Sequence, residues 1–268
     1  MTFLKSVGIW LVVFGIVFGF WQSGVVGVVF DSVLGGNSNT VPIVAAPTQN
    51  IPVSTSGYAS PTNAMMRTAS PTPTEAGYYD REYTWKYKGT TWYYSISIPK
   101  STYNYYRNLD HTSRDYSKYG SDEYTKKYLG NLAKMFKDKG REYGYSDSEN
   151  VMNAVAFVQS LPYTSDKVTT GYDEYPRYPI ETLVDNGGDC EDTAIFTAAL
   201  LRQMGYGVVL INPPGHMAVG VKGGENVHGT YYNYNGVKYF YLETTSSGWD
   251  IGQMPSEYKN TKVKIIPI

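Results

Sequence analysis

Cys190 is the only cysteine among 268 residues and stands in the run GGDCEDTA, Gly187 to Ala194. A solitary cysteine excludes an intramolecular disulfide and a Cys-rich zinc site, which leaves packing, an intermolecular link or a lone reactive thiol. The residues that follow, Glu191 to Met204, read as a helix with Ala194, Ile195, Ala198 and Leu201 as its apolar stripe and Gly205 as its stop. Cys190 then sits at a helix N-terminus, where unpaired backbone N–H groups and the positive dipole end favour a thiolate. A thiolate there attacks acyl carbons if a base serves it.

Two later residues supply that service. His216 opens the strand-like run HMAVGV, and Glu243 ends the strand-like run Lys238 to Glu243. Antiparallel pairing of these two segments would bring imidazole and carboxylate level across the ladder. A carboxylate on one ring nitrogen orients the base and steadies the imidazolium, the task of the third group in a triad.

The runs GGDCEDTA, GHMAVGV (Gly215 to Val221) and YLETT (Tyr241 to Thr245) resemble the transglutaminase-like, papain-type cysteine enzymes, and among these the prokaryotic transglutaminase-like cysteine peptidases. The resemblance spans roughly residues 145 to 255, under half of the chain. It implies an α+β fold, a papain-like core with the nucleophile at a helix N-terminus packed on an antiparallel sheet. It gives Cys190 the nucleophile role, His216 the base role and Glu243 the orienting role. The family more often has Asp at the third position, so Asp250 is the fallback for Glu243. It also offers Gln159 as an oxyanion donor, alongside a backbone N–H; the alternative for Gln159 is a solvated helix residue.

Asp189, Glu191 and Asp192 crowd the thiol with negative charge, which opposes its ionisation. Acidic residues in a first turn also complement the helix dipole. A hard cation such as calcium, which takes oxygen ligands, would neutralise them. Some peptidases of the resembling kind bind calcium through carboxylates flanking the nucleophile, which implies Asp189 and Glu191 as ligands; the triad itself requires no cofactor. His111 and His228 have no metal-ligand spacing and read as surface residues, so zinc is not expected.

The elements that must position these residues are legible upstream. EYTWKYKGTTWYYSISIP reads as two aromatic strands around Lys88-Gly89, ended by Pro99. Tyr124 to Lys137 has helical character. Ser146 and Glu149 form a capping box before Val151, Val155 and Val158, a helix ending at Leu161 ahead of Pro162. Thr169 to Pro179 reads as a turn-rich aromatic loop, a wall for a substrate cleft. Val208 to Ile211 reads as a strand.

Before all this, Val7 to Phe20 is uninterrupted apolar and VVGVVF continues it to Phe30, together enough for about 20 apolar helical residues across a bilayer. Lys5 before the segment and Asp31 after it orient the N-terminus inward and the remainder outward. A cleaved signal peptide, followed by secretion, is the competing reading. The organisation expected is an anchor or signal segment (1–34), a Pro/Ser/Thr-rich disordered linker (35–77), an aromatic strand and helical part (78–145) and the catalytic core (146–268).

A net charge of -1 gives no broad attraction for nucleic acid. Twenty-seven tyrosines against nine phenylalanines make a polar-aromatic surface. The function expected is an extracytoplasmic, single-pass cysteine peptidase acting on a protein or peptide through a thioester. Cross-linking by acyl transfer to an amine is the second enzyme reading, and a non-catalytic glycan- or envelope-binding module the third.

Overall fold

The computed structural model of the chain describes residues 77–172 and 174–268. The apolar segment and the linker fall outside the described residues; within them no helix is long and apolar enough to cross a membrane.

The first layer is a hairpin, β1 (Tyr78–Tyr87) paired antiparallel with β2 (Thr90–Pro99). Its two-residue turn places Lys88 and Gly89 at φ 48° and 77°, the twist-matched hairpin turn. One face is buried in strict alternation, carrying Tyr83, Trp85, Trp92, Tyr94, Ile96 and Ile98 into the core. Trp85 is tilted against Phe157 at 5.0 Å, and its indole N–H donates to Asn153 Oδ1 at 2.9 Å. The polar end of the buried indole is thereby satisfied and the hairpin is docked on the helix that carries both partners.

Helices follow: α1 (Lys100–Arg107), α2 (Ser117–Gly120), α3 (Lys126–Glu142), α4 (Asp147–Gln159), α5 (Asp166–Thr169), α6 (Pro179–Asp185) and α7 (Cys190–Gln203). The Ser146/Glu149 capping box starts α4 as expected, with Ser146 N donating to Glu149 Oε2 at 2.7 Å and Glu149 N to Ser146 Oγ at 3.3 Å. The turn-rich stretch expected from Thr169 to Pro179 lies between α5 and α6, and α6, which sequence did not announce, starts with Pro179 in its first turn. The helix is seven residues long and buried, too short for amphipathic periodicity to announce it.

The second layer is a five-stranded antiparallel sheet in the order β5-β6-β4-β3-β7. Its strands are β3 (Val208–Asn212), β4 (Ala218–Lys222), β5 (Tyr231–Tyr234), β6 (Val237–Leu242) and β7 (Lys264–Pro267). Both faces of its centre are covered: Val208, Leu210, Val219 and Leu242 join the main core, whereas Val209, Ile211, Ala218 and Tyr241 form a second cluster with Met254. The central strands therefore carry apolar side chains on both faces.

Helix α7 packs on β3 and β4 and is flanked by α3, α4 and α6. Every residue from Glu191 to Leu201 is buried. Phe196, Leu200 and Leu201 are each worth about 1.5–3 kcal/mol when fully buried, and Ala194, Ala198 and Ala199 let neighbours approach. The helix bearing the lone thiol is thus the central pillar between the two layers. The expected α+β architecture, with that helix packed on an antiparallel sheet, is what the chain adopts.

Candidate active site

The turn before α7 is built for close approach. Gly187 has φ 150°, and a side chain on it would strike the Pro162 carbonyl; one on Gly188 would strike the Asp192 carboxylate. Thr164 N donates to Gly188 O at 2.9 Å, pinning the turn to the loop after α4. Asp189 is the N-cap of α7 and Cys190 its first residue, half-buried and reachable.

His216 lies in the turn leading into β4 and not in the strand itself, because Pro213 and Pro214 end β3 and the chain must reverse. The turn is fixed by His216 N donating to Pro213 O at 3.3 Å and by Asn212 Nδ2 donating to His216 O at 2.9 Å. The ladder pairs Val219 with Leu242, so its next step sets Ala218, not His216, opposite Glu243. The imidazole instead reaches across diagonally, a reach the pleat permits to long side chains. His216 Nε2 lies 2.9 Å from Glu243 Oε2.

Glu243 is buried yet fully hydrogen-bonded. Besides His216 it accepts from Tyr241 Oη at 3.1 Å, Thr244 N at 3.0 Å, Thr245 N at 3.1 Å and Thr245 Oγ1 at 2.7 Å. Burial alone would raise its pKa, but the His216 contact and the threonine donors outweigh it and hold the carboxyl down to about 2. An ionised Glu243 fixes the proton on Nε2, leaving Nδ1 as the basic nitrogen. Asp250 is exposed, and its backbone N–H is tied to Gln253 Oε1 at 3.0 Å; it has no hydrogen bond to His216. The Met217 backbone N–H, one residue beyond the imidazole, points at the Cys190 sulfur. Tyr258 stacks on the imidazole, centroids 4.6 Å apart and planes 3° apart, and lies near enough to feel a thiolate charge. The α7 start, the β4 approach and the β6 exit therefore converge on one point.

Gln159 arrives there too, but with another task. Its Nε2 donates to Glu243 O at 2.8 Å and to Trp249 O at 3.2 Å. Both amide hydrogens are committed to backbone carbonyls, so the side chain ties the end of α4 to the Glu243 segment instead of facing an oxyanion. The backbone N–H of Cys190 stands at the open end of α7.

The acidic crowding divides in two. Arg177, fully buried, donates from Nη1 to Asp166 Oδ1 at 2.7 Å and to Asp192 Oδ2, from Nε to Asp185 Oδ2 at 3.1 Å and from its backbone N to Asp192 Oδ1 at 2.7 Å. Asp192 in turn accepts from Asp189 N at 3.2 Å, so the arginine braces the nucleophile turn. Sequence reading missed Arg177; its only signal was a lone cation inside the aromatic, proline-flanked run YPRYP.

Asp189 and Glu191 have no such partner. Asp189 Oδ1 is buried without a hydrogen bond, while the Glu191 carboxylate is hydrogen-bonded to the Asp189 carboxyl and its Oε2 accepts from the Cys190 thiol at 3.2 Å. Burial, and then mutual repulsion, pushes Asp189 up to about 8, and burial raises Glu191 as well. Burial, with Glu191 and Asp189 beside it, pushes the Cys190 thiol well above the ordinary thiol range. Ligand atoms of Asp189, Cys190 and Glu191 lie within 4.8 Å of one another, as do those of Asp166, Asp189 and Asp192. An orphaned carboxylate oxygen beside a second hard oxygen donor fits a cation such as calcium. Arg177 brings one positive charge to Asp166, Asp185 and Asp192, whereas Asp189 and Glu191 have no ion-pair partner among the described residues.

Residues 127–242 match the sequence family described as the transglutaminase-like domain. The matched stretch is under half of the chain. The match holds α4, the Cys190 helix and His216, and ends one residue before Glu243, while the aromatic hairpin precedes it. Among solved structures, calcium-bound LapG of Legionella pneumophila is similar at 22% identity, over 51% of this chain and 70% of that one, with a TM-score of 0.34. No curated protein matches the sequence.

The two remaining histidines behave differently from one another. His228 is exposed, as expected. His111, expected at the surface, is buried: it stacks on Tyr175 at 3.9 Å and lies 2.8 Å from Pro176 O through Nδ1 and 3.0 Å from Tyr106 O through Nε2. The loop before Cys190 folds over it, a long-range contact that local polarity hides.

Proposed function

We propose that the chain is a cysteine peptidase that cleaves peptide or amide bonds through a thioester on Cys190. The observation that carries the reading is the His216 Nε2 to Glu243 Oε2 contact of 2.9 Å beside a reachable thiol at a helix start. His216 Nδ1 takes the thiol proton as the sulfur attacks the carbonyl carbon. The Cys190 backbone N–H receives the developing oxyanion. His216 returns the proton to the leaving amine as the C–N bond breaks, giving the thioester. Water, deprotonated by the same nitrogen, then releases the carboxylic acid and restores the thiol. Glu243 stays ionised and steadies the imidazolium.

Asp189 and Glu191 would hold a bound calcium ion, which supplies positive charge beside the thiol; in its absence these carboxylates oppose thiolate formation. The apolar segment before Phe30 and the linker to residue 77 support a domain tethered to a membrane and facing outward. The test is acylation with a thiol-directed activated ester. We expect stoichiometric labelling of Cys190, lost in Cys190→Ala, and turnover of a quenched-fluorophore peptide library. Labelling that survives Cys190→Ala overturns the reading.

A further inference from the structure

A cavity of about 260 Å³ opens beside the imidazole, lined by His216, Glu243, Trp249, Pro255, Glu257 and Tyr258 among others. Cys190 is not in its wall, whereas His216 and its stacked neighbour Tyr258 are, so the cavity adjoins the base. In the mechanism proposed above, on which this inference rests, His216 hands its proton to the departing amine. The half of the substrate that leaves must therefore pass on the imidazole side, into this space. A water's share of liquid volume is about 30 Å³, so the cavity has room for roughly nine waters or one long side chain.

The walls define what that side chain is. The lining holds two carboxylates and neither Lys nor Arg. Glu243 is already saturated by His216, Tyr241 and the threonine donors, so it offers little further. Glu257 is exposed at the rim, takes one long hydrogen bond of 3.5 Å from Ser256 Oγ, and forms no ion pair among the described residues. Two half-buried aromatics also line the cavity. Tyr258 is held flat by its stack on His216, and Trp249 is fixed by its indole N–H donating to Ser246 Oγ at 3.1 Å. An unpaired carboxylate at the mouth of a cavity with aromatic walls suits a cation on an apolar stem: the carboxylate pairs with the charge, and the rings contact both.

We infer that this cavity is the leaving-group subsite and that Glu257 makes it select substrates whose first residue after the scissile bond is Lys or Arg.

Acyl transfer on the full chain reads the subsite directly. 4-Nitrophenyl acetate acetylates the Cys190 sulfur with loss of 4-nitrophenolate, and an added amino-acid amide then competes with water. Its α-amine attacks the thioester carbon, the C–S bond breaks, and the N-acetyl amino-acid amide and the free thiol are released. The attacking amine occupies the place of the leaving one, so its side chain samples the cavity. With lysinamide, norleucinamide and glutamic acid α-amide at equal concentration, mass spectrometry of the products gives the ratio of transfer to hydrolysis. Lysinamide should exceed the neutral norleucinamide by ~10-fold, the scale of one partly exposed charge contact plus a cation–π contact. Glu257→Gln should bring the two together, and Glu257→Lys should favour the glutamic acid amide. Equal use of lysinamide and norleucinamide by the unaltered chain, with the Cys190 acetyl-enzyme present, overturns the subsite while leaving the peptidase reading intact. A lysine preference unchanged in both Glu257 variants removes Glu257 as its cause and overturns the inference as stated. Absence of any Cys190-dependent nitrophenolate burst defeats the peptidase reading itself and the subsite with it.

Discussion

Two acidic groups flank the same imidazole and thiol, and they are built in opposite ways. Glu243 receives five hydrogen bonds, and its carboxyl is held down to about 2. Asp189, equally buried, keeps an oxygen with no partner and is pushed up to about 8. Burial is common to both, so the donors decide the sign. One is a finished anion site that serves the base; the other, with Glu191, is unfinished and works against the nucleophile it adjoins. The difference teaches that burial raises a carboxyl unless donors surround it: the protein supplies them to Glu243 and, among the described residues, supplies Asp189 and Glu191 with no cation of their own.

The largest effect expected is at the point where the halves meet. Cys190→Ala should abolish acylation and peptide turnover, with only a small change in melting temperature because the substitution removes one atom. His216→Ala should depress alkylation at neutral pH and recover partly at high pH, where hydroxide ionises the thiol. Rates of iodoacetamide labelling against pH check both.

Breaking the finished side comes next. Glu243→Gln keeps the shape but loses the charge that fixes the Nε2 proton, and turnover should fall by about 10²–10⁴-fold. Asp250→Asn should leave turnover unchanged, since Asp250 has no hydrogen bond to His216. A reversed result would move the orienting role to Asp250. Acid titration gives a second check. Below pH 4.5, the ordinary glutamate value, the unfolded chain takes up a proton that folded Glu243 refuses down to about 2. Stability from this group is thus complete above 4.5 and lost as pH falls towards 2. Glu243→Gln should lack that component in acid melts.

Completing the unfinished side should be milder. Calcium at a hundred times its Kd stabilises a protein by ~2.7 kcal/mol, or ~5–11 °C for a domain of this size. It should also shift Cys190 labelling to lower pH, and a chelator should reverse both. A chelator that changes neither melting temperature nor labelling would remove the cation.

Much of this was legible in sequence because it rests on local chemistry. The Lys88-Gly89 turn, the Ser146 box and the start of α7 each follow from a few adjacent residues. The approach of His216 to Glu243 was visible as a pairing of strand-like runs, although the two prolines after β3 shift His216 out of the strand. What escaped depends on distant partners. Strand β5 is four tyrosine- and asparagine-rich residues, and β7 is four residues near the C-terminus; each is defined by the neighbour it pairs with. Arg177 reads as an ordinary loop cation until Asp166, Asp185 and Asp192 surround it. Tyr258 and Gln159 owe their roles to contacts 42 and 84 residues away, which no periodicity encodes.

The sharpest form of the comparison is a substitution whose effect changes sign. Asp189→Asn keeps an N-cap side chain, because Asn serves that position as well as Asp. In chelator, the folded chain keeps Asp189 protonated up to about 8, whereas the unfolded chain ionises near 3.8. A raised acid pKa means stability is lost progressively as pH climbs through that window. The neutral Asn escapes this loss, so in chelator Asp189→Asn should melt a few degrees above the unaltered chain at pH 7 and equal it near pH 3.5. In excess calcium the order should invert, because the variant has given up a charged oxygen ligand that the ion requires. Glu243→Gln should show no such inversion, since its partners are all protein donors. Melting curves of the three proteins in chelator and in calcium, across pH 3.5 to 8, separate the cases. An Asp189→Asn protein less stable than the unaltered chain in both conditions would mean that Asp189 already has its partner within the fold, and that the two carboxylate sites are alike.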